Sequence, residues 1–128
     1  YMHDVVDRTP EGSHYDVIYF GGGGNGSVVI RHNAMYENLY NQTSVILMES
    51  YFGPLKNWTI DNNIMSGGGG TFYCNDAHRG FGAPQNIVLT NNRMGNYRQG
   101  FLASINAGGV AVSGNVDINT GVNLDNRI

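Results

Sequence analysis

Two carboxylates, Glu49 and Asp76, are the residues of this sequence whose spacing best suits acid–base chemistry. Each follows a short apolar and aromatic run, and if these runs stack as neighbouring strands the carboxylates lie roughly 5–8 Å apart. Glycosidases use paired acids at such separations to protonate and attack a glycosidic bond. The two positions are offset by one residue, so the alternative is a solvated turn, or an ion pair of Asp76 with Arg79. We therefore assign no catalytic residue and keep Glu49 and Asp76 as candidates.

An outward-facing column of large side chains is the second candidate site. Along a strand, side chains that alternate with the core residues point away from the core. The column consists of Tyr19, Leu47, Tyr73 and Leu102. Such a row is unusual on a solvated face, so we expect it to contact another chain or to stack on sugar rings, unless the register differs. Asn75, His78 and Arg79 follow Tyr73 and extend this candidate surface.

Four short segments that each end in Asn must position these groups. The segments are Ser27–Asn33, Asn57–Asn63, Asn86–Asn92 and Gly109–Asn115, and their closing asparagines are spaced by 30, 29 and 23 residues. A second run follows each of the first three. The runs are rich in β-branched or aromatic residues and bounded by Gly, Asn or Pro, which predicts strands. No segment of about ten residues has a helical period.

Repeats made only of short strands cannot bury their own apolar face, so neighbouring repeats must stack. We predict an all-β fold, a single-stranded right-handed parallel β-helix of about four coils, with the hand that parallel crossovers prefer. Residues 1–128 form one domain, with 1–13 as a leading segment, 14–124 as the coils and 125–128 as a tail. Both ends of so short a stack expose strand edges, so we expect caps from a larger chain or an assembly.

Aligned positions of the repeats predict the interior. Residues two apart share a face of a strand, so each repeat adds one member to each inward column. The columns are Val28, Trp58, Ile87 and Val110; Ile30, Ile60, Leu89 and Val112; and Met35, Met65 and Met94. The closing residues Asn33, Asn63, Asn92 and Asn115 form a ladder at the corner. An Asn side chain tolerates left-handed backbone geometry and can bond turn backbone or the Asn one coil away.

Composition and charge exclude several classes of function. The net charge is −3, with 10 acidic and 7 basic residues, so we expect no nucleic-acid partner. No apolar run approaches the ~20 residues that span a bilayer, so we expect no membrane insertion. Cys74 is the only cysteine and the four histidines are scattered, so we predict no metal site and no cofactor.

The aligned segments resemble a known fold family. NWTIDNNIMSGGGGTFYC and NIVLTNNRMGNYRQGFL are similar to the right-handed parallel β-helix, or pectate-lyase-like, superfamily, and more narrowly to β-helix proteins of actinobacteria and their phages. The resemblance covers residues 14 to 124. It implies an extracellular or virion location, as in tail, tailspike or other virion-associated components that meet polysaccharide. It also implies assembly with other β-helix chains as a homo-oligomer, for which phage β-helices provide the trimer as precedent.

The same resemblance implies an enzymatic alternative. Lyases of this fold use an Arg or Lys base beside a calcium ion held by clustered Asp residues, and Arg31 is the candidate base in this chain. Its neighbour one coil on is Asp61, and a cross-coil Arg31–Asp61 surface pair accounts for both residues. No Asp cluster flanks them, so the chain departs from the lyase pattern.

The leading hypothesis is a virion-associated or cell-surface structural module, non-catalytic, that assembles with like chains and contacts polysaccharide. The alternative is a polysaccharide lyase or glycoside hydrolase of this fold, using Glu49 with Asp76, or Arg31. A lectin-like module that binds glycans through Tyr73 is a third hypothesis.

Overall fold

The computed structural model describes residues 15–24, 26–37, 43–105 and 110–125, with the backbone alone at 102–105. Twelve strands and no helix occur in these ranges. The strands are β1 Asp16–Phe20, β2 Val28–Arg31, β3 Ala34–Glu37, β4 Ser44–Glu49, β5 Lys56–Asp61, β6 Ile64–Gly67, β7 Gly70–Asn75, β8 Gln85–Thr90, β9 Arg93–Gly95, β10 Gly100–Ile105, β11 Val110–Ser113 and β12 Val116–Asp117.

These strands form three four-stranded sheets in which neighbouring strands are parallel. The strand orders are β1-β4-β7-β10, β11-β8-β5-β2 and β12-β9-β6-β3. Consecutive strands belong to different sheets, so the chain visits each sheet in turn and returns to the first sheet one strand further on. One such passage is called a repeat below. The all-β arrangement is consistent with a parallel β-helix of about four coils.

The strand register confirms the predicted interior columns. Ile30 pairs with Ile60 and Ile60 with Leu89, and the column that contains Trp58 has the expected register through β2, β5, β8 and β11. Ile60 and Leu89 are fully buried. The buried methionines Met35, Met65 and Met94 also pair in register. Stacked repeats therefore bury a common apolar interior that no single repeat could enclose.

The asparagine ladder is confirmed as a continuous chain of hydrogen bonds. Asn63 Nδ2 donates to Asn92 Oδ1 at 3.0 Å, and Asn92 Nδ2 donates to Asn115 Oδ1 at 2.9 Å. Each of these Oδ1 atoms also accepts a backbone N–H from the ladder asparagine before it, and each Nδ2 also donates to a carbonyl of the preceding repeat. The three residues are at most 1 % exposed, so the ladder satisfies turn backbone that water does not reach.

Left-handed backbone lies one residue before the position expected for it. His32, Asn62 and Asn91 have φ angles of 58°, 52° and 55°, and each immediately precedes a ladder asparagine. Gly114, which precedes the last ladder residue, has a φ of 70°. At each of these turns, one residue therefore adopts the left-handed backbone conformation, and the next residue supplies the hydrogen-bonding side chain.

Residues after β12 lie against the last repeat. Asn123 forms an antiparallel bridge with Val116, and the fully buried Leu124 donates its N–H to the carbonyl of Asn115 at 2.9 Å. Asp125 Oδ1 accepts the backbone N–H and the Nδ2 of Asn115 at 3.0 and 3.1 Å. At this end the chain's own residues cover the last ladder asparagine.

Asp125 occupies the position that a further ladder asparagine would hold. Its Oδ2 accepts the N–H of Gly114 at 2.6 Å and the Nδ2 of Asn123 at 3.1 Å. Desolvation raises the pKa of Asp125, but the hydrogen bonds from Asn115, Asn123 and Gly114 together lower it below its ordinary value. These donors therefore stabilise the ionised carboxylate.

Candidate functional site

A shallow groove of about 650 Å³ lies on the outer face of the sheet that contains β1, β4 and β7. It is lined by Tyr15, Asp16, Tyr19, Thr43, Leu47, Glu49, Tyr73 and Asn75. Most of these residues hold outward positions on their strands, because the alternating Ile46 and Phe72 are fully buried in the core. The site is called the tyrosine groove below.

Three of the four residues in the predicted outward column line this groove. Tyr19 pairs with Leu47, and Leu47 pairs with Tyr73, in the register expected. Tyr19 is 47 % exposed, Tyr73 is half-buried and Leu47 is only 9 % exposed. The groove thus has two accessible phenol rings with an aliphatic side chain seated between them.

The register expected for β10 is wrong, and Leu102 does not belong to the column. Leu102 pairs with Phe72, and Ala103 pairs with Tyr73. Gly100 pairs with the first residue of β7, so the two strands start together. A slip of one residue moves every position of a strand to the other face. Tyr73 is therefore the last large residue of the outward column.

Glu49 joins the groove through a hydrogen bond with Tyr19. The Tyr19 hydroxyl donates to Glu49 Oε1 at 2.8 Å, and Glu49 pairs in register with Asn75, as the sequence predicts. Desolvation raises the pKa of Tyr19 to about 12, and the hydrogen bond and negative charge of Glu49 act in the same direction. Tyr19 therefore keeps its proton at neutral pH and donates to the carboxylate.

The two carboxylates of the groove lie at opposite ends of it. Asp16 pairs with Ser44, whose Oγ donates to Asp16 Oδ1 at 2.8 Å. Glu49 is at the far end of the strand that Ser44 begins, which separates the two acids by about 16 Å along the strand direction at ~3.3 Å per residue. Paired glycosidase acids are at most about 9.5 Å apart. Asp16 and Glu49 therefore cannot act on one glycosidic bond.

Asp76, the other acid considered for catalysis, lies in the turn after β7 and is not among the groove-lining residues. Its Oδ1 accepts the backbone N–H of His78 at 3.1 Å and lies 3.3 Å from His78 Nδ1. Arg79 contacts Tyr51 instead: Nη2 donates to the Tyr51 hydroxyl at 2.6 Å, and the guanidinium carbon lies 4.4 Å from the ring centroid. The Asp76–Arg79 pair considered as an alternative is therefore wrong.

Arg31, the candidate lyase base, lies on a different sheet from the groove. It pairs in register with Asp61, as expected. The Asp61 carboxylate accepts hydrogen bonds from Asn91 Nδ2 at 2.9 Å and from Thr90 Oγ1 at 3.0 Å. These bonds lower the pKa of Asp61, and the positive charges of His32 and Arg31 add to the effect. Arg31 therefore lies opposite Asp61 across the repeats and makes the smallest of these contributions to its pKa.

Metal and thiol chemistry have no arranged site in the described ranges. No three His, Cys, Asp or Glu side chains among those residues converge as a metal site would require. The same residues include no helix with the length and apolarity to cross a bilayer. Cys74 is fully buried, and desolvation raises its pKa to about 12, which leaves the unreactive thiol form at neutral pH.

Three residues of the groove lie outside the predicted outward column, namely Tyr15, Asp16 and Thr43. All three lie at or just before the first position of a strand, whereas the outward column was read only from strand interiors. The hydrogen bond between Tyr19 and Glu49 could have been predicted from the sequence. Glu49 lies two residues beyond the register partner of Tyr19, and such diagonal neighbours can touch when one of them is aromatic.

Comparisons with known proteins give no match. No family model, no curated protein and no solved structure is similar to the chain. Function is therefore inferred from the groove and from the stacked repeats.

Proposed function

We propose that the chain is a structural module of a virion-associated or cell-surface protein that assembles with other chains and contacts polysaccharide through the tyrosine groove. The observation that carries the proposal is the groove itself. The accessible rings of Tyr19 and Tyr73 offer flat apolar faces, which suit the apolar faces of sugars, and their hydroxyls provide polar handles. Glu49 and Asn75 at one end supply acceptors and a donor for sugar hydroxyls.

The module is built as a single-stranded right-handed parallel β-helix of about four coils. The visiting order of the three sheets supports this architecture, because each crossover between parallel strands of one sheet passes through the other two sheets. Such crossovers are right-handed in about 98 % of cases. The resemblance of the repeats to phage and actinobacterial β-helix proteins supports the extracellular or virion location.

Exposed apolar residues outside the groove support assembly with other chains. Val29 is 58 % exposed on the outer face of β2, and Phe52 and Phe81 are 69 % and 46 % exposed in loops. Burial of such side chains against a partner would remove apolar surface from water, which is favourable. A homo-oligomer is the form we propose, with three chains in line with phage β-helix proteins.

Sedimentation equilibrium over a range of protein concentrations tests the assembly. The wild-type chain should associate, and Val29→Ser and Phe52→Ser should shift the equilibrium toward the monomer. Gln85→Ser, at an exposed position of β8, is the matched control and should associate like the wild type. A wild-type chain that remains monomeric at all concentrations would overturn this part of the proposal.

The enzymatic alternative is distinguished by product analysis. The chain is incubated with neutral and uronic-acid polysaccharides, and unsaturated products and reducing ends are followed over time. We expect neither to form, because Asp16 and Glu49 are too far apart to work as a pair, Asp76 contacts His78 outside the groove lining, and Arg31 lies on another sheet. Depolymerisation that is abolished by Glu49→Gln, Asp76→Asn or Arg31→Ala would favour a hydrolase or a lyase instead.

A further inference from the structure

The tyrosine groove carries negative charge and no positive charge among its described lining residues. Its titratable groups are two carboxylates, Asp16 and Glu49, and three tyrosines, and the remaining members are Thr, Leu and Asn. A basic side chain is therefore not available in the described lining to bind a sugar carboxylate or sulfate. This composition is informative about the charge of the ligand, because specificity between ligands depends on mismatched groups as much as on matched ones.

Glu49 is the acid of the groove whose surroundings are described most fully. Its Oε1 accepts the Tyr19 hydroxyl, and none of the described cationic side chains lies within ion-pair distance of it. Arg79, a cation in the turn after β7, is bound to Tyr51 through a hydrogen bond and a ring contact. The charge of Glu49 is thus left for a ligand, beside the partly exposed ring of Tyr19.

The tyrosine rings strengthen the same preference. Tyr19 and Tyr73 flank Leu47 on the groove surface, and an ammonium group over the face of a tyrosine ring is attracted by the ring quadrupole. A sugar that carries an amino group can therefore bind the carboxylate with its cation and stack its apolar face on a ring. A uronic acid placed in the same position would bring its carboxylate toward Glu49, which is unfavourable.

We propose that the ligand of the tyrosine groove is a glycan that carries unacetylated amino groups, bound with an amino group at Glu49. This inference rests on the proposed function, since it names the class of polysaccharide that the groove contacts. It excludes polyuronates as the preferred ligand.

Binding to three oligosaccharides of matched length tests the inference: an oligomer of glucosamine, the same oligomer fully N-acetylated, and an oligogalacturonate. Isothermal titration calorimetry on the full chain at pH 6 and low salt gives each affinity. We expect the glucosamine oligomer to bind most tightly. Glu49→Gln should weaken it about fivefold, as for one partly exposed charge pair. Asp61→Asn, which removes the same charge from another sheet, should have no effect.

The outcomes separate the inference from the function on which it rests. Equal or tighter binding of the acetylated oligomer or the oligogalacturonate overturns the preference for amino groups but leaves glycan contact intact. Binding of the glucosamine oligomer that Glu49→Gln and Asp61→Asn weaken equally overturns the assignment to Glu49, since net charge would then explain it. If none of the three binds, both glycan contact and the inference fail.

Discussion

Replacement of Asn92 by alanine should destabilise the fold far more than the same change at the exposed end of the ladder. The Asn92 side chain makes four hydrogen bonds. Its Oδ1 accepts the backbone N–H and the Nδ2 of Asn63, and its Nδ2 donates to Ile60 O and Asn115 Oδ1. Alanine removes all four and leaves the Asn63 N–H without its ladder partner in a region that water does not reach.

The expected loss in the free energy of unfolding is about 4 kcal/mol, from four bonds at roughly 0.5–1.5 kcal/mol each. The matched control is Asn33→Ala. Asn33 is exposed, and its Nδ2 donates only to Arg31 O and to Asn63 Oδ1, so its loss should cost about 1 kcal/mol. A difference of about 3 kcal/mol between the two variants is large against a typical total stability of about 5–15 kcal/mol.

Urea denaturation measures both variants. Trp58 is 5 % exposed and its ring centroid lies 4.5 Å from that of Phe20, so its fluorescence reports exposure of the interior. Far-ultraviolet circular dichroism reports the strands, and coincidence of the two transitions validates a two-state treatment. If Asn92→Ala does not fold whereas Asn33→Ala does, the variants are ranked in the same order of stability. Equal midpoints with equal slopes for the two variants would refute the role given to the ladder.

Three further predictions concern other sites. The folded pKa of Asp125 is lowered, so its stabilisation is present above the unfolded value of about 3.9 and lost as the pH falls through the folded value. Asp125→Asn should therefore flatten the acid side of a plot of unfolding free energy against pH, and an unchanged plot would contradict this. Tyr19 has a pKa of about 12, and Glu49→Gln should lower it only in part because desolvation remains. Difference titration of phenolate absorbance checks this, and an unshifted curve would count against the hydrogen bond. Gly67 and Gly80 have φ of 106° and 81°, but a Cβ would strike backbone only at Gly67. Thermal melts should show a loss of more than about 3 kcal/mol for Gly67→Ala and about 1–2 kcal/mol for Gly80→Ala, and similar losses would refute the close approach.

The interior and the ladder were predictable because the repeats align without a gap between their first run and their closing asparagine. Ile30, Ile60 and Leu89 each lie three residues before a ladder residue, so one alignment fixes the columns of two sheets. Period-two alternation then assigns the buried face. Local spacing and long-range stacking agree at these positions, which is the condition under which sequence patterns predict register.

The register of β10 was missed because the alignment matched one aromatic residue to another. An outward column with Leu102 beside Tyr73 sets Phe101 beside Phe72, whereas the structure pairs Gly100 with Gly70 and Leu102 with Phe72. Two backbone hydrogen bonds in the preceding turn, from Arg98 N–H and Gln99 N–H to carbonyls one repeat earlier, set the strand start. The turn and the strand therefore share one register, and a sequence alignment by residue type does not contain the turn hydrogen bonds.

The groove was predicted in part, since Tyr19, Leu47 and Tyr73 follow from the column but its two ends do not. Asp16 reaches the groove from the first position of β1, where strict alternation does not decide the direction of a side chain. The spacing of the repeats also did not predict the hydrogen bonds between Asp125 and the ladder. It lies 10 residues after Asn115, a spacing that fits none of the intervals between the repeats.

The side-chain hydrogen bonds of the ladder all run in one direction, toward the acid at its end. Asn63, Asn92 and Asn115 each accept hydrogen bonds from the ladder asparagine before them and donate one to the next ladder position. The carboxylate of Asp125 only accepts hydrogen bonds. An asparagine placed beyond Asp125 in the orientation of the ladder would set its Oδ1 against a carboxylate oxygen that has no proton to donate. The donor-to-acceptor sequence of the ladder therefore stops at this carboxylate.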